Sequence, residues 1–178
     1  MPRTTSKICF SKSSFGTEHS LNVHRFHPKL GQPTRRAYIQ ASLHADEYPG
    51  MLVANHLCKL LEDADIKEEI IIIPFANPIG LSQRVLGNHL GRFSAESGIN
   101  FNRDWFNFTD QICDTIKDKL CSDETKNVSL IREAILTAVE KHSSSKEEVC
   151  MKKALYELAA VSDIVLDLHC DSEGILIS

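Results

Sequence analysis

Apolar positions fall into two repeating patterns, and their order predicts alternating strands and helices. Residues 21–27 (Leu-Asn-Val-His-Arg-Phe-His) read as a strand, closed by a turn over residues 28–33. Residues 37–43 are polar only at Gln40 and Ser42 and predict a second strand. Met51, Leu52, Ala54, Leu57, Leu60 and Leu61 recur at helical spacing behind Pro49. A proline is tolerated there because its missing N–H has no helical partner in the first turn. Residues 69–75 are almost wholly apolar, as in a strand covered on both faces. Strand, helix and strand over residues 37–75 imply a right-handed parallel crossover.

The periodicity lapses between residues 77 and 103, where Gly80, Gly87, Gly91 and Gly98 stand among many polar residues. A loop of this length in a compact domain is more often functional than accidental. Residues 109–121, 128–142 and 147–161 then predict three amphipathic helices, the last two separated by Ser143-Ser144-Ser145. This helical segment, about 109–161, is expected to pack on a sheet; its amphipathic pattern would also suit a partner or a dimer face. Residues 164–168 read as another buried strand, and 174–178 begin a further one. The implied fold class is α/β: one domain over residues 1–178, three α/β/α layers and a mixed, mostly parallel sheet.

Composition narrows the function classes. At 178 residues, 42% hydrophobic and 25% charged, the chain has ordinary globular values. Its longest apolar run, Ile70 to Ile73, falls far short of the ~18 residues of a spanning helix. Lys plus Arg number 20 against 24 Asp plus Glu, for a net charge of −4. No basic stripe points to nucleic acid or a membrane surface. The N-terminus lacks the apolar stretch of a secretory signal. Six cysteines include no Cys-x-x-Cys pair, so free thiols in a reducing cytoplasm are expected.

The candidate chemistry sits where the strands end. The strand ending at Leu43 runs into His44-Ala45-Asp46-Glu47, and the one ending at Leu168 into His169-Cys170-Asp171. Ligands of open α/β sheets bind outside the carboxyl ends of the strands, so His44, Glu47 and His169 can converge. Two histidines and a carboxylate form a catalytic zinc set that leaves a fourth position for water. Asp167 is positioned to orient an imidazole from behind. Taken alone, His-x-x-Glu equally describes a surface pair at a helix N-terminus, and His169 a hydrogen-bonded core histidine.

Taken in order, His44-x-x-Glu47, Asn77-Pro78-Ile79-Gly80, Asn100-Phe101-Asn102-Arg103-Asp104-Trp105 and Leu166-Asp167-Leu168-His169-Cys170-Asp171 resemble the succinylglutamate desuccinylase/aspartoacylase family of the zinc carboxypeptidase superfamily. The resemblance spans residues 37–178. It implies a carboxypeptidase-like fold, with one Zn2+ held by His44, Glu47 and His169. It also implies that Asn102 and Arg103 bind a substrate carboxylate, which suits a guanidinium fork. An arginine of the glycine-rich loop would polarise the scissile carbonyl: Arg92 is preferred for its offset from Gly80, with Arg84 as second choice. The implied activity is zinc-dependent hydrolysis of an amide in a small N-acyl amino acid or related substrate. Oligomerisation is compatible with it.

The same resemblance calls for a general-base glutamate well downstream of the third ligand. The chain ends nine residues after His169, and no residue matches that position. Glu173, four residues past His169, reads as a turn residue before the final strand and is not assigned the role. The expectation is therefore a truncated catalytic domain. Three alternatives stay open: a zinc carboxypeptidase acting on peptides, a non-catalytic zinc-binding fragment, and a thiol hydrolase using Cys170. The last is disfavoured because adjacent His169 and Cys170 on an extended segment point to opposite faces.

Overall fold

The computed structural model describes residues 3–14 and 16–170. The expected strand at 174–178 and Glu173 lie outside them. Strands β1 (Arg3–Ser14) and β2 (Thr17–Phe26) form an antiparallel hairpin. Then come β3 (Arg36–Ala41), helix α1 (Tyr48–Asp63) and β4 (Glu69–Ile73), with β3 and β4 paired in parallel as the crossover required. The loop region holds a short helix α2 (Pro78–Ser82) and a two-residue hairpin, β5 (Arg84–Val85) with β6 (Asn88–His89). Helices α3 (Thr109–Ile116), α4 (Glu124–Lys141) and α5 (Glu147–Ala160) precede strand β7 (Ile164–Leu168).

The main sheet has the order β1-β2-β4-β3-β7. β3 is flanked by parallel partners, whereas β2 pairs antiparallel with both β1 and β4. The described sheet is thus evenly mixed rather than mostly parallel, because β1 escaped the sequence pattern. Its apolar residues Ile8, Cys9 and Phe10 are consecutive among serines and threonines, so no alternation announces it.

Two cores cover the two faces, and the period-2 geometry of the strands divides them. Tyr38, Ile71 and Ile73 pack with Met151, Leu155 and Leu158 of α5. Ile39, Ala41 and Ile72 pack with Ala54, Cys58 and Leu61 of α1. Each fully buried isoleucine contributes about 2–3 kcal/mol. The three-layer α/β/α expectation holds.

Other expectations shift at their edges. α3 stops short of residue 121, and α4 starts earlier than 128 because the Asp123 side chain accepts from the Lys126 N–H and caps the helix. β7 reads as buried but forms the sheet edge among the described residues, with Ile164, Val165 and Leu166 about half exposed. Its start is fixed by Asp163, which accepts from the Arg36 N–H and from Arg132 while its own N–H donates to the Arg36 carbonyl. No helix among the described residues is long and apolar enough to cross a membrane.

Below the sheet, at the opposite end from the candidate ligands, Glu69 is 6% exposed and accepts hydrogen bonds from Arg25 and Arg36. Burial alone would raise its carboxyl pKa. The hydrogen bonds and charges of Arg36 and Arg25 outweigh that and hold it below the ordinary glutamate value. A depressed folded-state pKa contributes stability above the unfolded-state value and loses it as pH falls through the folded-state one. Glu69→Gln should therefore cost roughly 2 kcal/mol at pH 7 and flatten the decline of stability below the usual carboxylate range. Urea unfolding at pH 7 and pH 3 checks both effects.

Candidate metal centre

The centre is built where β3 and β7 end side by side. After β3, Ser42 takes a left-handed backbone (φ 61°), which turns the chain off the sheet toward Leu43 and His44. The Glu47 N–H donates to the His44 carbonyl and closes a tight turn, and α1 begins at the next residue. This delivers His44 and Glu47, both buried, to one point above the sheet. β7 pairs with β3 in register up to Ala41–Leu168, so His169 emerges beside them.

Close backbone approach locks this arrangement. A Cβ on Gly91 would lie 2.2 Å from the Asp46 nitrogen, so the loop rests directly on the His44–Glu47 turn. The Ala45 N–H donates to the Gly91 carbonyl at 2.9 Å. Gly50, in the first turn of α1, leaves no room for a Cβ against the Leu168 carbonyl at 2.8 Å. Asn77 caps α2 by accepting from the Gly80 N–H, and its amide donates to the Leu43 carbonyl. The Asn77-Pro78-Ile79-Gly80 turn thereby fastens the end of β4 to the ligand-bearing turn.

Glu47 lies at the middle of the site. Its Oε1 is 2.9 Å from His44 Nδ1 and its Oε2 is 2.9 Å from His169 Nδ1. Arg92 Nη2 donates to Oε1 at 2.7 Å, and the Cys170 main-chain N–H donates to Oε2 at 2.9 Å. Burial pushes the Glu47 carboxyl up, but the Cys170 N–H and the two imidazoles prevail and hold its pKa below the ordinary value. His169 is raised, chiefly by its hydrogen bond to Asp167 and against the effect of burial.

The donor chemistry fits a cation. His44 Nε2 lies 2.9 Å from Asn100 Oδ1, an oxygen identified by the Asn102 N–H that also donates to it. His169 Nε2 lies 2.9 Å from Asp167 Oδ2. Each ring thus faces an oxygen acceptor on both nitrogens, whereas a neutral imidazole has only one N–H to give. His89 shows the contrast: its Nε2 faces the Gly80 carbonyl while Nδ1 meets the Tyr48 hydroxyl, which a neutral ring satisfies. Either both rings carry an extra proton in a largely buried site, or a cation lies among the two Nδ1 atoms and the carboxylate. The donor atoms of His44, Glu47 and His169 all lie within 4.8 Å of one another. Oxygen acceptors behind ligating histidines are the usual supporting shell of a metal site.

Around this centre, Arg92 touches Glu47, and its carbonyl accepts from the Phe101 N–H. Arg84 instead donates to the carbonyls of Leu81 and Gln83 in its own turn. The Asn102 amide reaches to 3.3 Å from His169 Nε2, and its Oδ1 accepts from Trp105 Nε1. Arg103 is exposed, with Nη1 donating to the Asn102 carbonyl. A cavity of about 230 Å³ opens next to them, lined by Tyr38, Gln40, Asn102, Trp105, Val165 and Asp167 among others. The sequence reading gave no role to Asn100, although it sits two residues before Asn102 in the quoted motif. The close-packing roles of Gly50 and Gly91 left no sequence signal beyond the glycines themselves.

Comparison with known proteins follows the same lines. The family profile described as the succinylglutamate desuccinylase/aspartoacylase catalytic domain matches residues 33–178. No curated protein matches the chain. Among solved structures, a succinylglutamate desuccinylase/aspartoacylase-type protein from Shewanella frigidimarina NCIMB 400 is 24% identical with a TM-score of 0.82, over 95% of this chain and 46% of that one. A second, from Shewanella amazonensis SB2B, is 26% identical with a TM-score of 0.75, over 94% of this chain and 47% of that one. A metallo-carboxypeptidase from Pseudomonas aeruginosa is 16% identical with a TM-score of 0.52, over 88% of this chain and 33% of that one. The chain spans a little under half the length of the two Shewanella proteins.

Steric contact at Gly91 yields a direct test. Gly91→Ala should destabilise the protein by about 2 kcal/mol or more, because backbone atoms on the other side have to give way. Gly31→Ala, at φ 83° with open space around it, should cost only about 1 kcal/mol. Urea unfolding of the two variants side by side measures the difference.

Proposed function

The chain belongs to the succinylglutamate desuccinylase/aspartoacylase catalytic domain family, and from that premise we propose that it is a zinc-dependent deacylase. Its substrate in this reading is a small N-acyl amino acid or related carboxylate, cleaved at the amide bond. The observation that carries the reading is the convergence of His44 Nδ1, His169 Nδ1 and the Glu47 carboxylate, with oxygen acceptors behind both rings.

His44, Glu47 and His169 are assigned as the ligands of one zinc ion. When bound, zinc supplies a Lewis acid that polarises a carbonyl and draws the pKa of water toward ~7. The chain's own residues orient the rings and bind the oxyanion and the substrate carboxylate. Asn100 and Asp167 hold each ring with Nε2–H outward and Nδ1 inward, which fixes the tautomer that can ligate. Arg92 is the donor assigned to the oxyanion that develops on the scissile carbonyl, since its guanidinium already reaches the centre. Arg84, bonded within its own turn, is less suited to that role. Asn102 and Arg103 are assigned to the substrate carboxylate, as amide donor and guanidinium fork. Small-molecule recognition of this kind needs neither nucleic acid nor a membrane, and a reducing cytoplasm remains our proposed location.

Metal analysis of the purified chain should find one zinc per chain, lost in His44→Ala and in His169→Ala. Zinc kept by both variants would defeat the ligand assignment. With zinc loaded, N-acetyl and N-succinyl amino acids should be hydrolysed in preference to peptides; the reverse preference would favour a carboxypeptidase. Arg92→Ala should lower kcat by roughly 10²-fold, and Arg103→Ala should raise KM by roughly tenfold with a smaller effect on kcat.

A further inference from the structure

We propose that Lys152 is a positioning residue: from α5 its buried ammonium fixes the loop carrying Asn102 and Arg103 and thereby sets the carboxylate clamp. The proposal rests on the assignment of Asn102 and Arg103 given above. Lys152 is 3% exposed, on a helix that otherwise turns Met151, Ala154, Leu155 and Leu158 into the core. A charged amine is retained in such a place only where its hydrogen bonds have a use.

The ammonium donates to the main-chain carbonyl of Arg103 and stands 5.8 Å from the centre of the Trp105 ring. It thus grips the loop on both sides of Asp104, which turns the chain through a left-handed backbone (φ 55°). Asp104 and Glu148 favour the ammonium's charge by Coulomb attraction, while burial lowers its pKa. One Glu148 oxygen, Oε1, is buried without a hydrogen-bond partner.

From this anchor the loop runs straight to the centre. Trp105 Nε1 donates to Asn102 Oδ1, which orients the amide so that Nδ2 faces His169. The Asn102 N–H donates to Asn100 Oδ1, the acceptor behind His44. The Arg103 N–H donates to the Asn100 carbonyl. An apolar side chain at position 152 would leave the Arg103 carbonyl without its donor and remove the cation beneath the indole. The clamp would then be free to shift, although none of its own side chains had changed.

The chain has a single tryptophan, Trp105, which reports on this loop without substrate or metal. In Lys152→Met, and in Lys152→Leu as a second neutral variant, Trp105 emission should shift to longer wavelength. Acrylamide should quench it about twofold more strongly, with far-UV circular dichroism unchanged. Lys152→Arg keeps the charge and should restore most of the wild-type signal. In zinc-loaded preparations, KM for N-acetyl-L-aspartate should rise roughly tenfold in the neutral variants with kcat within about twofold. An unchanged Trp105 signal in a folded neutral variant overturns the proposal, as does a fall in kcat at constant KM. Unfolding of both neutral variants while Lys152→Arg folds also overturns it, by making the residue one of core stability alone. A longer chain that includes the downstream general-base glutamate, holds zinc and still hydrolyses nothing would refute the deacylase reading, and the fluorescence comparison would still decide the role of Lys152.

Discussion

A carboxylate sealed from water has to be met by donors on every side, and Glu47 shows what that demands of a fold. Its two oxygens are shared among His44, His169, Arg92 and the Cys170 N–H. These partners come from the turn after β3, the end of β7 and the glycine-rich loop. None of these segments can move without leaving a buried charge short of a partner, a loss that typically costs several kcal/mol. The sheet register, the cap of α2 and the glycine contacts are all consistent with that single requirement.

The same arrangement makes the centre electrostatically unusual. Both histidine rings point Nδ1 at the carboxylate while Nε2 is committed to an oxygen behind. In an ordinary core, a histidine divides its nitrogens between a donor and an acceptor, as His89 does. The doubled acceptors around His44 and His169 favour a positive charge between them, the charge that a divalent ion would bring to one point.

Much of this was legible in the sequence. Short apolar runs ending in His44-x-x-Glu47 and His169 placed these three side chains at strand ends, because parallel strands flanked by helices leave nothing but their tips for chemistry. β3, β4, β7, α1 and α5 emerged within a few residues of their bounds for the same reason. What stayed hidden depended on partners. β1 has no apolar alternation, and its pairing with β2 defines it. β7, whose apolar run reads as buried, is an edge strand among the described residues. Asn100 and Lys152 meet His44 and Arg103, residues 56 and 49 positions away. No local pattern encodes such contacts.

The pairing of Glu47 with His169 joins residues 122 positions apart in the chain. Contacts of that span form only after the intervening loop has closed, so they belong to the late, slow part of a folding reaction. α1 can assemble on β3 and β4 from neighbouring sequence, yet it presents a carboxylate with half of its donors missing until β7 docks. The carboxylate therefore has all its partners only once β7 is in place. An ion that recognises all three side chains selects the finished fold from among the partly folded ones, and its binding free energy adds to the cooperativity of the final step.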